Sequence, residues 1–275
     1  MFLAKRFGAV VLLLMVGYSF ASSLDSLKAP FKNAYGHMRD YIVESVVELS
    51  FIINSNATVE VDDKNYPEID AMVTAVAEKA QIEKPLTFVI TRKVPNFFDK
   101  VNAFTTGDKE RSVIFVGSWL IDNMTCEELE GIIAHEVIHV KKNHVLHGLA
   151  YRLGVLTASV STIIASIAVL AKYGYLNVDM NDFRMITWGS ILGAWLPTAL
   201  LSARYSRSCE KEADLGAVQL TGNKKLANSL AKLDGVVKKY RPYSHWRQEN
   251  SSSLLEDHPK IKERIQYIKD VVITA

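Results

Sequence analysis

This chain of 275 residues has few cysteines and a small net charge. The chain has two cysteines, Cys126 and Cys209, which do not imply a disulfide framework. Cys209 precedes a candidate metal ligand, where a thiol ligand is conceivable, although a small buried apolar role is the commoner one. The formal net charge of +2 and the lack of a basic run argue against nucleic acid as a partner. The length allows one large domain or two small ones.

The central feature of the sequence is an H-E-x-x-H motif at residues 135–139. Helical residues four apart lie on one face, so His135 and His139 can bind one zinc ion. Glu136 can then act as the general base that takes a proton from the attacking water. The alternative is a surface helix with two unpaired histidines.

The residues around the motif predict a helix that begins near Thr125. Apolar residues recur at helical spacing, and no proline occurs between Cys126 and Leu146. Thr125 and Glu128 have the spacing of a capping box, in which each side chain accepts from the other residue's backbone N–H.

The first 58 residues predict a leader of two parts. Residues 1–23 place Lys5 and Arg6 ahead of an apolar run, which is typical of a signal peptide or an N-terminal membrane anchor. The run is nearer to signal-peptide length than to spanning length, so export is favoured. Residues 24–58 have the pattern of an amphipathic helix, and the main domain is expected at 59–275.

A helix and a small sheet are predicted ahead of the motif helix, which together indicate an α+β fold that is mostly helical. The helix opens at residues 66–68 and runs to about Ala80. Strands are expected at residues 85–91, 102–107 and 112–117. An edge at residues 101–105, next to a metal cleft, could bind an extended peptide by strand addition. An ordinary core strand fits the same pattern.

Two long apolar segments follow the motif helix. Leu153–Ala171 has spanning length and no charge, whereas Ile186–Leu201 is shorter and contains Pro197. They predict a hydrophobic helical hairpin at about 153–201 that contacts membrane lipid, and the alternative is two buried helices. The basic residues near the start of the chain favour a motif helix outside the cytoplasm, whereas the basic residues that flank the hairpin favour the cytoplasmic side. Of the two, we expect the motif helix to lie outside the cytoplasm.

A third metal ligand is expected after the hairpin. Glu210 and Asp214 lie one helical turn apart, and Glu212 points elsewhere. A catalytic zinc ion takes three protein ligands and keeps a fourth position open, which Glu210 can complete while Asp214 orients a ligand histidine. The alternative is a solvated acidic face.

Near the end of the chain, His258 precedes a last helix that opens at Pro259. His258 could approach the cleft and donate a hydrogen bond to the oxyanion of the reaction, although a lone histidine is more often a surface or capping residue. Arg264 could brace the site or simply be solvated.

Taken together, these motifs resemble the M48 family of zinc metallopeptidases, which includes HtpX-like, Ste24-like and BepA-like members. The resemblance covers about residues 101–264. Four pieces carry it in the family's order: Val101-Asn-Ala-Phe104, the H-E-x-x-H helix with His144, Ser206-Arg207 with Glu210-x-x-Ala-Asp214, and His258-Pro259 with Arg264.

This resemblance implies a mostly helical zincin with a small β-sheet and the hydrophobic hairpin between its metal-ligand helices. It implies one zinc ion per chain. The roles it implies are zinc ligation by His135, His139 and Glu210, general base catalysis by Glu136, orientation by Asp214, a place near the cleft for His258, and a substrate groove lined by Asn102, Ala103 and Phe104.

The function implied is that of a membrane-associated endopeptidase that cleaves misfolded or envelope proteins. HtpX-like members have two spans before the catalytic helix and BepA-like members have a C-terminal repeat array, whereas one leader and no array are recognised here. A small protease of the bacterial cell envelope, with its catalytic side periplasmic, is therefore expected. The alternative function is a membrane-associated chaperone-like or binding module with a structural zinc site.

Overall fold

A computed structural model describes residues 58–91, 101–108, 110–174, 180–240 and 258–273, without the side chains of residues 180–188 and 191–192. The signal peptide or anchor predicted at residues 1–23 lies outside the described residues. So does the predicted amphipathic lead-in at 24–58, apart from Thr58 itself.

Four strands form one sheet in the order β1-β2-β4-β3. They are β1 (Thr58–Glu60), β2 (Leu86–Ile90), β3 (Ala103–Gly107) and β4 (Ser112–Gly117). β2 and β4 run parallel, while β1 pairs antiparallel with β2 and β3 pairs antiparallel with β4. The sequence predicts the last three strands, and it misses β1 because three residues are too few to show an alternating pattern. Among the described strands β3 is terminal, as the predicted edge requires.

The two central strands are buried on both faces. β4 is buried along its whole length, and β2 is buried after its first residue. Alternate residues such as Val89 and Ile114 join the main core, whereas Phe88 and Phe115 stack on each other on the opposite face. Continuous apolar sequence of this kind is typical of strands with both faces covered.

Helices account for most of the described chain, which confirms a mostly helical α+β fold. They are α1 (Pro67–Ala80), α2 (Ser118–Asn123), α3 (Cys126–Lys141), α4 (His144–Lys172), α5 (Met180–Thr221), α6 (Leu226–Tyr240) and α7 (Ile261–Asp270). The main core lies between α1, the sheet, α3 and α6.

The motif helix α3 begins as predicted. The Thr125 hydroxyl accepts from the Glu128 backbone N–H at 3.3 Å, and the Glu128 carboxylate accepts from the Thr125 N–H at 2.8 Å. Most residues of α3 are buried, which excludes the alternative of a surface helix. The helix ends at Lys141 without a proline, because Asn143 takes a left-handed conformation with φ 52° and the chain restarts as α4 at His144.

The apolar helix α4 is long enough to cross a membrane. It has 29 residues, and the mean hydropathy of its most apolar 18-residue window is 2.2, with none of that window buried inside the protein. It is the one such helix in the part of the chain that the structure describes. This exposure excludes the alternative that α4 is a buried core helix.

The second apolar segment is not a separate helix. It forms the first half of α5, a helix of 42 residues that continues through Pro197 to the segment that carries Glu210. α5 packs beside α4, and the rings of Tyr151 and Tyr205 stack at 4.6 Å between their centroids. The sequence analysis treats the apolar segment and the acidic segment separately because their compositions differ, yet one continuous helix contains both.

Candidate active site

Three side chains from two helices converge on one point. His135 and His139 stand one turn apart on α3, and their Nε2 atoms are 3.1 Å apart. The Glu210 carboxylate of α5 completes the triangle, with Oε2 3.6 Å from His135 Nε2 and Oε1 3.5 Å from His139 Nε2. All three side chains are largely buried, with 9%, 13% and 9% of their surface exposed.

This triangle fits a tetrahedral metal ion. Zinc–nitrogen and zinc–oxygen bonds of about 2.0–2.1 Å at tetrahedral angles separate neighbouring donor atoms by about 3.3–3.4 Å. The observed separations of 3.1, 3.5 and 3.6 Å lie close to that value, with a different Glu210 oxygen nearest to each histidine. Burial lowers the pKa of His139 to about 3, so its ring is neutral and offers a lone pair to a metal. Two histidines and one carboxylate are also a donor set that catalytic zinc sites use.

Glu136 lies beside this cluster in the wall of the same cleft. Its side chain is buried, and burial raises its pKa to about 7. A carboxylate in that range is suited to proton transfer near neutral pH. The charge of a bound cation would favour the ionised form of Glu136, which is the form that accepts a proton.

Asp214 lies behind the first histidine, on the side away from the cluster. Its Oδ1 is 2.9 Å from His135 Nδ1, and the side chain is fully buried. Burial alone would raise the pKa of Asp214, but contacts with His135 and Arg264 outweigh it and hold that pKa below its usual range. Asp214 is therefore an anion that faces the ring nitrogen opposite the cluster, so the solvated acidic face is excluded.

Arg264 of α7 is enclosed rather than solvated, with 11% of its side chain exposed. Its Nε and Nη2 donate to the two oxygens of Asp214 at 2.8 and 2.7 Å, and its Nη1 is 3.3 Å from Glu210 Oε2. One guanidinium thus holds both carboxylates, as the bracing alternative predicts. Tyr267, one turn further along α7, also donates its hydroxyl to Asp214.

His258 stands at the open side of the cluster. Its Nδ1 is 3.2 Å from Glu210 Oε2, and 62% of its side chain is exposed. Burial alone would raise the pKa of Glu210, but His258, His135 and Arg264 lower it to about 2. The structure therefore brings His258 to the cleft, in contact with the expected third ligand.

A second group of side chains lies behind His139. Nδ1 of His139 is 3.0 Å from Nδ1 of His144, and Nε2 of His144 is 3.2 Å from Glu212 Oε2. The other oxygen of Glu212 is 2.7 Å from Nζ of Lys142. The sequence predicts that Glu212 points away from the metal donors, as the structure has it, but it predicts no role for His144 or Glu212. The same holds for Tyr267, whose only sequence signal is its place one turn after Arg264.

The thiol of Cys209 is not part of the donor cluster found among the described residues, which comprises His135, His139 and Glu210. Cys209 is buried, and burial raises the pKa of its thiol. The residue therefore fits the small apolar role rather than that of a ligand.

The cluster opens into a cleft of about 550 Å³. One wall is formed by the predicted groove residues Asn102, Ala103 and Phe104 at the start of β3. The cleft is also lined by the first turns of α4 and by α5, through residues that include Leu149, Arg152 and Tyr205. An edge strand thus runs along a cleft that holds three metal donors and a buried carboxylate.

Comparison with known proteins agrees with this arrangement. The chain matches the model of peptidase family M48 over residues 63–272. It is 28% identical over 232 residues to a protease HtpX homolog of Thermococcus kodakarensis, covering 77% of this chain and 76% of that protein. It is 29% identical over 245 residues to a protease HtpX homolog of Streptococcus pyogenes, covering 81% and 79%.

Among solved structures, the chain is similar to Ste24p of S. mikatae, with a TM-score of 0.57 and 16% identity. The match covers 97% of this chain but only 63% of Ste24p, which is less than two thirds of the length of Ste24p. At this low sequence identity, the match shows a shared fold and no shared activity. The family match covers most of the chain, and the donor cluster lies within it. The resemblance seen in the motifs is thus confirmed, and the chain is a metallopeptidase of family M48.

Proposed function

We propose that this protein is a zinc-dependent, membrane-associated endopeptidase that cleaves protein substrates. The observation that carries the proposal is the triangle of His135, His139 and Glu210 beside a buried Glu136 in an open cleft. A structural zinc site is usually closed by four protein ligands, whereas the donor cluster of the described residues has three.

The proposed zinc site is made by side chains of this chain. His135, His139 and Glu210 would hold one zinc ion. When bound, zinc supplies Lewis acidity, which polarises a carbonyl group and lowers the pKa of a water molecule. Arg264 and Asp214 keep the first histidine and the carboxylate in place, so the donors are oriented before the metal arrives.

Glu136 moves the proton in the proposed reaction. Its carboxylate accepts a proton from the attacking water and then passes it to the leaving amine of the cleaved peptide bond. His258, at the open side of Glu210, donates a hydrogen bond to the carbonyl oxygen as negative charge develops on it.

The substrate is proposed to bind as an extended strand. β3 is terminal among the described strands, and its first residues line the cleft. Phe104 is held in place by stacking on Phe115 at 4.8 Å between ring centroids. A peptide that pairs with β3 would pass the donor cluster with its backbone extended, which suits cleavage within a chain rather than at its end.

Membrane lipid is proposed to surround the apolar parts of α4 and α5. Large apolar side chains are exposed on both helices, among them Val169, Leu170, Trp195 and Leu196. From the sequence we place the protein in the bacterial cell envelope with its catalytic side periplasmic, where misfolded or envelope proteins are the substrates. Protease accessibility of the catalytic part in spheroplasts, whose outer envelope is opened, and in fully lysed cells tests that side. Protection in spheroplasts contradicts it.

The variant Glu136→Gln tests the mechanism. It keeps the shape of the cleft but removes the base, so we expect retained zinc and a loss of casein cleavage of about 10²-fold or more. Glu130→Gln is the matched control, because Glu130 is also on α3 and pairs with Lys79 at 3.1 Å away from the cleft. The wild type should lose cleavage with a chelator and regain it with zinc.

Two results would contradict the proposal. Full activity of Glu136→Gln would remove Glu136 from the mechanism. Wild-type protein that binds unfolded casein without any chelator-sensitive cleavage would point instead to a binding module whose zinc is structural.

A further inference from the structure

We infer that His144 and Glu212 form a positioning pair for His139, so that each of the two histidine donors has its own acidic support. This inference rests on the proposed metal site. It assigns roles to two residues that the reaction itself does not use: neither residue is a metal donor in the cluster.

The break between α3 and α4 is what brings His144 to His139. Residues five apart in a continuous helix point in different directions, since five residues turn the helix by about 500°. Here Asn143 takes a left-handed conformation, and the rings of His139 and His144 meet edge to face at 4.9 Å between centroids. Their Nδ1 atoms are 3.0 Å apart.

The direction of each hydrogen bond in the pair follows from which nitrogen faces the metal donors. Nε2 of His139 faces the cluster and must carry a lone pair to bind a metal, so the proton of the neutral ring sits on Nδ1. Nδ1 of His139 then donates to Nδ1 of His144. The neutral ring of His144 consequently carries its proton on Nε2, which donates to Glu212 at 3.2 Å.

The two supports differ in exposure. Asp214, behind His135, is fully buried, whereas 49% of the Glu212 side chain is exposed. Lys142 holds the outer oxygen of Glu212 at 2.7 Å, which fixes the carboxylate at the surface. Because solvent screens Glu212, its influence on His139 should be smaller than that of Asp214 on His135.

The pair also ties the donor cluster to the apolar helix. His144 is the first residue of α4, and Glu212 lies on α5 two residues after Glu210. The two helices that form the apolar hairpin therefore each contribute one member of the support. A shift of α4 along α5 would separate His144 from Glu212 and leave His139 without its partner.

Metal affinity in full-length, detergent-purified protein tests the inference. We expect His144→Leu to bind zinc about 10–100-fold more weakly than wild type in a chelator competition, the range typical for loss of a group that orients a ligand. Glu212→Gln should weaken binding less. Glu130→Gln, which removes a carboxylate paired with Lys79 elsewhere, is the control and should not change affinity.

Two further measurements separate positioning from general stability. The double variant His144→Leu/Glu212→Gln should bind zinc no more weakly than His144→Leu alone, because Glu212 acts through His144. The visible absorption of the cobalt-loaded protein should change in His144→Leu, since the ring of His139 is free to turn. His144→Asn places an acceptor oxygen near the position of Nδ1 and should recover part of the affinity. If His144→Leu does not fold, the weaker binding expected of Glu212→Gln, a change at a half-exposed side chain, carries the test.

The outcomes distinguish this inference from the proposed function. Wild-type protein that binds no zinc would overturn the metal site itself. Wild-type protein that binds zinc, with His144 and Glu212 variants of unchanged affinity and cobalt spectrum, would overturn only the positioning pair. Additive losses in the double variant would also overturn it, because the two residues would then act independently.

Discussion

Replacing Arg264 by leucine should destabilise the protein strongly, because it leaves two carboxylates buried without their cation. Arg264 donates two hydrogen bonds to Asp214, at 2.8 and 2.7 Å, and lies 3.3 Å from Glu210. Asp214 is fully buried, and without the guanidinium its charge keeps only His135 and Tyr267 as partners among the described contacts. Loss of one partner from a buried ion pair costs about 3–5 kcal/mol of unfolding free energy.

This loss should be visible as a lower melting temperature. For a domain of this size, 1 kcal/mol corresponds to about 2–4 °C, so Arg264→Leu should melt about 6–20 °C below wild type. Arg264→Lys keeps the charge but cannot donate two parallel hydrogen bonds, so its melting temperature should fall between those of wild type and Arg264→Leu. Circular dichroism of detergent-purified protein during heating measures all three.

Lys269→Gln is the matched control on the same helix. Lys269 is exposed in the last turn of α7, where its charge contributes less than about 1 kcal/mol. A melting temperature of Arg264→Leu within about 2 °C of this control would refute the reasoning, because the buried carboxylates would then not depend on Arg264.

Two smaller changes probe the elements that frame the cleft. Gly107→Ala should lower both the melting temperature and casein cleavage. Gly107 has φ +91°, and an added Cβ would lie 2.0 Å from the Arg111 carbonyl oxygen at the β3–β4 turn. An unchanged melting temperature and unchanged cleavage would show that the turn accommodates the added methyl group. Thr125→Ala should cost about 1 kcal/mol by removing the cap of α3, whereas Thr125→Ser should keep it. Equal unfolding midpoints for the two Thr125 variants would contradict a role for the hydroxyl.

Local patterns in the sequence account for α3 and for the donors on it. The capping box defines where the helix begins, since Thr125 and Glu128 need only each other and the backbone. Turn spacing then places His135 and His139 together in any helix, whatever surrounds it. The apolar length of α4 is likewise a property of composition alone.

The sequence is less informative where long-range contacts decide. It leaves open whether Glu210 and Asp214 form a solvated acidic face and whether Arg264 is exposed, because either state is compatible with the same local pattern. Burial of all three arises when α5 packs on α3 and α7 packs on α5. Tyr267 and Glu212 remain without a role at that stage for the same reason: their partners lie far away in the chain.

The order of the amino acids is enough to specify a capped helix that presents two imidazoles on one face, and an apolar helix after it. Both follow from interactions between residues a few positions apart. The folded chain alone shows that Glu210 reaches His139 and His135, which lie 71 and 75 positions before it, and that the turn at Asn143 sets His144 against His139. Packing between helices fixes these distances, which local propensity leaves free.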